Sequence, residues 1–311
     1  MSSSSSSNSS PHGQHLIATG GRGLSSVCFD GDRRLYATSS NDGTLYVEED
    51  GRLLEVSTTG GVPSGLAIDH TNALHVLDFA HAAVLLVKDE IAAATSHHAH
   101  HSIGQVAPSA SSSSNQHSPL VIVNEYEGKS LKGPNSAVFD SAGQLFFTDS
   151  GPLGETGLLE RRGSVFVVTG EANNRILRPL AYESLAYPSG IALSGDESSV
   201  FVSEMSANRI LRFSQRPAGV WHCSVFHQFS GRFGPTALCA DPQRNVLYVA
   251  RFELPEAAER GLISVINCRT GHLVRDIECP GPEVTGLALS PDGSFLVVCE
   301  ATRNTLTKIS L

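Results

Sequence analysis

The feature that most constrains this chain is an internal repeat, in which one pattern of two apolar strands recurs six times. In each copy a turn residue precedes a short apolar strand ending in Asp or Ser, and a second apolar strand follows a few residues later. The first strands lie at 24–30, 63–69, 134–140, 188–194, 235–241 and 284–290. The second strands lie at 35–37, 74–76, 145–147, 200–202, 247–249 and 296–298. This self-similarity predicts a repeat architecture in which each copy is one small sheet.

Further apolar segments extend the copies toward four strands each, except the sixth, which has only three. Third strands are predicted near 45–47, 84–87, 165–167, 210–212, 263–266 and 306–309, and weaker fourth strands near 53–56, 120–123, 176–180, 221–226 and 273–277. The segment 15–19 precedes the first copy and has no other partner, so we expect it to pair with the last sheet and close a ring. With an insertion at 95–118 set aside, each copy takes about 46 residues, as a four-stranded propeller blade does. The prediction is an all-β fold, a six-bladed β-propeller spanning residues 15–311.

Composition agrees with short strands and excludes several classes of protein. The 311 residues include 29 Gly and 15 Pro, which are too many helix breakers for a helical bundle. No apolar run approaches the ~20 residues needed to cross a bilayer, so we expect no membrane association. The net charge of −9 would repel phosphate backbones, which argues against nucleic acid as a partner.

Two low-complexity segments are predicted to be disordered. The first is the Ser-rich tail 1–14, which lacks the basic start and apolar centre of a secretory signal. The second is the insertion 95–118 in repeat two, where four His in five positions precede a Ser tract; a weak Zn or Ni site is the alternative there. The six Cys form no CxxC pair and follow no secretory segment, so we expect reduced thiols and a cytoplasmic protein.

Two columns of the aligned repeats recur for reasons that must be separated from chemistry. The middle of the first strand is always small or slim, which we attribute to crowding between blades: Cys28, Ala67, Val138, Ala192, Cys239 and Ala288. The end of the second strand is acidic in four copies: Ser39, Asp78, Asp149, Glu204, Arg251 and Glu300. Four carboxylates could form a metal or acid–base cluster. A residue needed once for chemistry would not recur in most copies, so we favour acids that bond turn amides or a nearby Arg in each repeat.

Several phrases resemble known propeller families. They are GPNS at 133–136 with FFTDS at 146–150, and LAYPSGIALS at 185–194 leading into Ser203, Glu204 and NRI at 208–210. They resemble the regucalcin/gluconolactonase and strictosidine synthase-like propellers, and 204–210 is also similar to the end of an NHL repeat. The resemblance is sharpest over 131–213. It implies a six-bladed propeller whose active site, where one exists, lies at the mouth of the central channel.

In the gluconolactonase and paraoxonase branches, the resemblance implies a calcium-type centre built from a Glu of the first blade and Asn or Asp residues just before later inner strands. The matching positions here, which we predict to bind ligand, are Ser25, Ser64, Asn135, Ser189, Thr236 and Thr285. Only Asn135 keeps a ligand type, and no Glu stands at the start of the first blade. Because calcium affinity falls as carboxylates are removed, no cofactor is firmly implied, and we expect at most weak binding of a divalent metal such as calcium at Asn135.

The strictosidine synthase-like branch implies a catalytic Glu from the last blade. Glu283 lies in the preceding loop and Glu300 belongs to the acidic column, so neither matches that role. The sequence therefore gives no support for a condensing activity.

Three functions stay open. The first is a lactonase-like propeller with a degenerate metal site, whose mouth binds a small polar ligand or a protein segment. The second is a divalent-metal-dependent lactone or ester hydrolase of the gluconolactonase type, in which the metal polarises the carbonyl. The third is a protein-interaction platform that uses the charged loop 151–163. Whether the chain is an enzyme is left open among these.

Overall fold

The protein is all-β, as a computed structural model that describes residues 13–87, 119–170 and 174–311 shows. The predicted disordered insertion 95–118 and most of the tail 1–14 lie outside these residues. Repeats one and two comprise β2 (Leu24–Phe29), β3 (Leu35–Ser39), β4 (Thr44–Glu49), β5 (Arg52–Thr58), β6 (Pro63–Ile68), β7 (Leu74–Asp78), β8 (Ala83–Val87) and β9 (Leu120–Val123). Repeats three and four comprise β12 (Pro134–Phe139), β13 (Leu145–Asp149), β14 (Gly163–Thr169), β15 (Ile176–Leu185), β16 (Pro188–Leu193), β17 (Ser199–Glu204), β18 (Arg209–Gln215) and β19 (Trp221–Gln228).

The last two repeats and the connecting elements complete the chain. Repeats five and six comprise β20 (Gly234–Asp241), β21 (Val246–Phe252), β22 (Arg260–Asn267), β23 (Leu273–Pro280), β24 (Val284–Leu289), β25 (Phe295–Glu300) and β26 (Thr305–Ser310). Outside the repeats lie β1 (Gln14–Thr19), the small hairpin β10 (Glu125–Tyr126) and β11 (Lys129–Ser130), and the short 3-10 helices Met205–Ala207 and Pro217–Gly219. Within the described residues, no helix is long and apolar enough to cross a membrane.

The turn after each inner strand explains why that strand ends in Asp or Ser. The Asp30 carboxylate accepts hydrogen bonds from the backbone N–H of Asp32 (3.0 Å) and of Arg34 (2.8 Å), and Asp69 and Asp140 bond their own turns in the same way. In repeat four the inner strand ends in Ser194 instead, and its hydroxyl donates to the carboxylate of Asp196 in the turn at 2.6 Å. Such side-chain bonds satisfy turn amides and fix the hairpin.

The N-terminal strand closes the ring, as its position in the sequence predicts. β1 pairs antiparallel with β26, with His15 opposite Lys308 and Thr19 opposite Thr305. It supplies the fourth strand that the sixth repeat lacks.

The prediction of six separate four-stranded sheets needs correction. Four sheets are separate, whereas the strands of repeats one and six form one eight-stranded sheet with β1 in its interior. The cause is a parallel contact, in which Thr19 of β1 also pairs with Arg52 of β5. The closing strand thus bonds both sheets that flank it.

The inner strands form a closed ring around a central channel. Each inner strand contacts the next, in the order β2, β6, β12, β16, β20, β24 and back to β2. An apolar cluster fills the space between each neighbouring pair of repeats. Between repeats two and three, for example, Leu77 and Val84 of repeat two belong to the same cluster as Phe147 of repeat three. The arrangement is therefore propeller-like, with the core between sheets rather than within one.

Glycine is needed where inner strands approach most closely. A Cβ on Gly65 would strike the backbone oxygen of Asn135, and a Cβ on Gly190 would strike the backbone oxygen of Thr236. Both glycines lie one residue after a predicted site position. Next to these site positions, the backbones of neighbouring inner strands are therefore in close contact.

Candidate functional site at the channel mouth

The six predicted site residues come together at one end of the channel. Each is the second residue of its inner strand or lies at the equivalent place, and we call them the hydroxyl ring: Ser25, Ser64, Asn135, Ser189, Thr236 and Thr285. All but Ser189 line a cavity of about 80 Å³, the mouth cavity. Ser189 is buried, and its neighbour Gly190 lines the cavity instead.

Five members of the ring bind the backbone of the neighbouring repeat. Each hydroxyl donates to the carbonyl oxygen of the residue just before the next ring position. The bonds are Ser25 to Pro63 (2.7 Å), Ser64 to Pro134 (2.6 Å), Ser189 to Pro235 (3.2 Å), Thr236 to Val284 (2.7 Å) and Thr285 to Leu24 (2.7 Å). The last of these joins repeat six to repeat one. The hydroxyls thus act first as links between repeats, a role that sequence reasoning missed.

Asn135 is the exception in the ring. Within the described chain, its side-chain amide has no hydrogen-bond partner, and it is only partly buried. The carbonyl of Pro188, which would be its target, instead accepts from the Ser150 hydroxyl at 2.5 Å, and that of Ser189 accepts from Thr148 at 2.6 Å. Repeat three therefore keeps its link to repeat four while leaving the Asn135 amide, a donor and an acceptor, free at the cavity.

The acidic column has the structural role that its recurrence predicts. Asp149 accepts hydrogen bonds from the backbone N–H of Lys132 (2.9 Å) and Gly133 (2.6 Å), in the segment that leads into the inner strand. Asp78, Glu204 and Glu300 accept from the equivalent amides of Val62, Ala186 and Glu283. Burial raises the pKa of Asp149, although the two amides oppose the shift. These carboxylates face amides, not a common centre.

Arg251 reverses the charge of this column in repeat five. Its guanidinium donates to the carbonyl oxygens of Ser230 (3.2 Å) and Gly231 (2.9 Å) and lies 3.8 Å from the Phe229 ring centroid. Burial, helped by the nearby charge of Arg232, lowers the pKa of Arg251 to about 10. A cation here bonds carbonyls where the acids of other repeats bond amides.

The mouth does not fit a calcium ion. Calcium takes six to eight oxygens and gains affinity from carboxylates. The hydroxyl ring contains no carboxylate, five of its side chains are bonded to backbone carbonyls, and the acids nearby are turned toward amides. Across the described ranges, no group of three or more His, Cys, Asp or Glu side chains is placed to hold a metal. The single free amide of Asn135 cannot offset the dehydration of the ion.

The two glutamates considered for condensation chemistry are also engaged. Glu300 is buried and accepts hydrogen bonds from the backbone N–H of Glu283 (3.2 Å) and Arg303 (2.7 Å). Glu283 accepts from the Thr302 hydroxyl at 2.6 Å. All three bonds serve the turns around the last repeat.

The comparisons with known proteins agree with this fold. A model of the SMP-30/Gluconolactonase/LRE-like region matches residues 41–302, and a WD domain, G-beta repeat model matches 15–47. Lactonase drp35 of Staphylococcus aureus (strain MW2) is 31% identical over 172 residues, which are 52% of this chain and 48% of that protein. The chain thus spans about half the length of the curated relatives it matches.

Two solved structures show the same architecture at low identity. The gluconolactonase XC5397 from Xanthomonas campestris superposes with a TM-score of 0.73 at 18% identity, covering 96% of this chain and 89% of that one. Regucalcin, a calcium-binding protein from Agrobacterium tumefaciens, superposes with a TM-score of 0.69 at 15% identity, covering 96% and 94%. With the family model matching most of its length, the chain belongs to the SMP-30/gluconolactonase/LRE-like family.

Proposed function

We propose that this lactonase-like protein is a six-bladed propeller that binds a small, uncharged polar group at its mouth without a metal. The count of six treats the eight-stranded sheet as two blades joined by β1. One observation carries the functional proposal: Asn135 lines the mouth cavity, and among the described residues its side chain has no hydrogen-bond partner. An amide both donates and accepts, so it suits a carbonyl, hydroxyl or amide of the ligand. Only a few atoms of the ligand fit into the mouth cavity of about 80 Å³.

The binding test uses δ-valerolactam, a neutral amide that resembles a lactone and resists hydrolysis. We expect titration to shift the NMR signals of the Asn135 side-chain amide, and Asn135→Ala to abolish the saturable binding. Asn124→Ala, which removes the same side chain from an exposed position, is the matched control. Equal binding by the wild type and Asn135→Ala would refute the proposed site.

A metal-dependent lactone or ester hydrolase is the alternative, and the curated relatives, which are named lactonases, favour its lactone-hydrolysing part. Lactonase drp35 covers half of this chain, yet the donor set at the mouth fits calcium poorly. A panel of lactones and esters, assayed with calcium, other divalent metals and chelator, separates the two functions. We expect no turnover above background in any condition. Sub-micromolar calcium binding that is abolished by Asn135→Ala would overturn the metal-free proposal.

A protein-interaction platform is the second candidate, favoured by one exposed surface. The loop between β13 and β14 exposes Leu153, Leu158 and Leu159 to solvent, and Leu159 is 99% exposed. A cavity of about 700 Å³ lies beneath it, between this loop and Ser206. We expect the double variant L158S/L159S to lose any stoichiometric partner captured from cell extract, while Asn135→Ala keeps it. A partner retained by the loop variant would exclude this surface.

A further inference from the structure

The channel widens into a second, larger cavity at the end opposite the hydroxyl ring. This lower chamber has a volume of about 450 Å³ and is lined by all six inner strands. Its size falls within the ~300–1,000 Å³ typical of sites for small molecules. It shares one layer of residues with the mouth cavity: Val27, Leu66, Ala137, Ile191, Leu238 and Leu287. That layer forms a waist between the two cavities.

Two further layers build the lower chamber below the waist. The next layer is the column of small or slim residues, Cys28, Ala67, Val138, Ala192, Cys239 and Ala288. The outermost layer is larger and almost entirely apolar: Phe29, Ile68, Phe139, Leu193, Ala240 and Leu289. In repeats one, two, four and six, the middle side chain is smaller than those on either side and leaves volume at the middle of the channel. The recurrence of these smaller side chains therefore keeps the chamber open, besides relieving crowding between repeats.

The chamber offers almost no free charge. Its one acidic side chain, Glu197, accepts from the backbone N–H (2.9 Å) and hydroxyl (2.6 Å) of Ser141 in the neighbouring repeat. Burial raises the pKa of the Cys239 thiol to about 12 and raises that of Cys28 as well, so both thiols stay neutral. An ion entering this space would lose hydration without a partner.

The walls still provide hydrogen bonds through the backbone. Every inner strand ends its sheet in the strand order, so it pairs on one side only. The opposite edge faces the channel, and its N–H and C=O groups have no strand partner there. Some bond a side chain of the neighbouring repeat, as the Leu66 N–H does with the Ser26 hydroxyl at 3.2 Å. The lining thus exposes polar backbone atoms and apolar side chains in similar measure, and a guest can contact both.

We propose that the lower chamber is a binding site for an uncharged small molecule that has an apolar part and hydrogen-bonding groups. The site lies beyond the waist from Asn135 and does not depend on the function proposed for the mouth. It takes a different class of ligand from the small polar group expected there. A failure of the proposal for the lower chamber can be told apart from a failure of the proposal for the mouth, because each site is tested with its own probe and its own reporter groups.

The first test uses N-phenyl-1-naphthylamine as the neutral probe and alanine methyl NMR as the reporter. We expect saturable shifts in the methyl groups that line the chamber, Ala67, Ala137, Ala192, Ala240 and Ala288. Buried alanines elsewhere, Ala18, Ala83, Ala186 and Ala250, should not shift. No saturable shift, or shifts confined to the second group, would overturn the proposal. This measurement needs no substitution and so is independent of any folding defect.

The second test asks whether the chamber selects against charge and loses affinity when it is filled. 8-Anilinonaphthalene-1-sulfonate carries the same ring system with one negative charge, and we expect it to bind at least about tenfold more weakly, since a buried unpaired charge is costly. Val138→Phe should weaken binding of the neutral probe by a similar factor. Val274→Phe makes the same change on the outer strand β23, where the side chain is 57% exposed, and should leave binding unchanged. Equal binding of both probes, or an equal effect of both variants, would contradict the proposal.

Discussion

At the scale of single residues, the hydroxyl ring combines a structural duty with one free side chain. Ser and Thr at this position predicted a polar mouth, and the structure places them around it. The acceptor of each hydroxyl was not predictable, because it depends on the distance between neighbouring inner strands. That distance is set by contacts such as that of Gly65 with Asn135. The acidic column was predictable, because its recurrence in four repeats already indicated a structural role.

Removing one ring hydroxyl should loosen the joint between two repeats. Thr285→Val leaves the Leu24 carbonyl without its donor, and we expect it to lower the free energy of unfolding by about 1–3 kcal/mol. Thr305→Val is the matched control in the same repeat, because the buried Thr305 hydroxyl has no partner among the described residues. It should be neutral or stabilising. Chemical denaturation measures both, and a larger loss for Thr305→Val would contradict this role of the ring.

The turn acid Asp196 should titrate well below an ordinary aspartate. Hydrogen bonds from the Ser194 and Ser198 hydroxyls lower the pKa of Asp196 to about 2 from 3.8. A lowered folded-state pKa means that its stabilising effect is present above about pH 4 and is lost as the pH falls through about 2. Carboxyl NMR titration of the folded protein measures the value, and Ser194→Ala together with Ser198→Ala should raise it. A wild-type pKa near 4 would show that these bonds are absent in solution.

At the scale of elements, the closing strand does more than the repeat count predicts. The sixth repeat has no fourth strand of its own in the sequence, which predicted that 15–19 pairs with the last sheet. In the structure, β1 does pair with β26. Fusion of two sheets could not be predicted, because the parallel contact of Thr19 with Arg52 joins segments with no pattern in common. The hydrophobic alternation sets which face of a strand is buried, but not which edges meet.

Removing the closing strand should therefore destabilise two sheets at once. Deletion of 1–19 exposes an edge of β26 and an edge of β5, whereas deletion of 1–12 keeps β1 whole. We expect the first truncation to lower the melting temperature strongly and to promote aggregation through open strand edges. The second should leave melting unchanged. Thermal melts and light scattering compare them, and equal stability of the two chains would mean that β1 does not bear on closure.

At the scale of the whole molecule, contacts between neighbouring repeats run around a closed ring. Six apolar clusters and the hydroxyl links join neighbouring repeats, and the mouth lacks the carboxylates that calcium requires. Similarity to calcium-binding regucalcin extends to the architecture, at 15% identity. The two cavities also belong to this scale, because no single repeat encloses either.

Calcium should therefore have no effect on unfolding. A ligand that binds only the folded state raises the free energy of unfolding, and the increase grows with the logarithm of the ratio of ligand concentration to dissociation constant. We expect the same melting temperature in millimolar calcium and in chelator. An increase with calcium that disappears in Asn135→Ala would instead place a metal at the mouth.

The hydrogen bond from the Ser150 hydroxyl to the Pro188 carbonyl, which replaces one from Asn135, affects how this sequence can diverge. At five of the six equivalent positions, a substitution that removes the hydroxyl also removes a hydrogen bond between neighbouring repeats. At position 135 no such bond is lost, since a neighbouring serine already holds that joint. On the proposed function, position 135 can therefore change its side chain, and with it the ligand contact, without breaking a hydrogen bond between repeats.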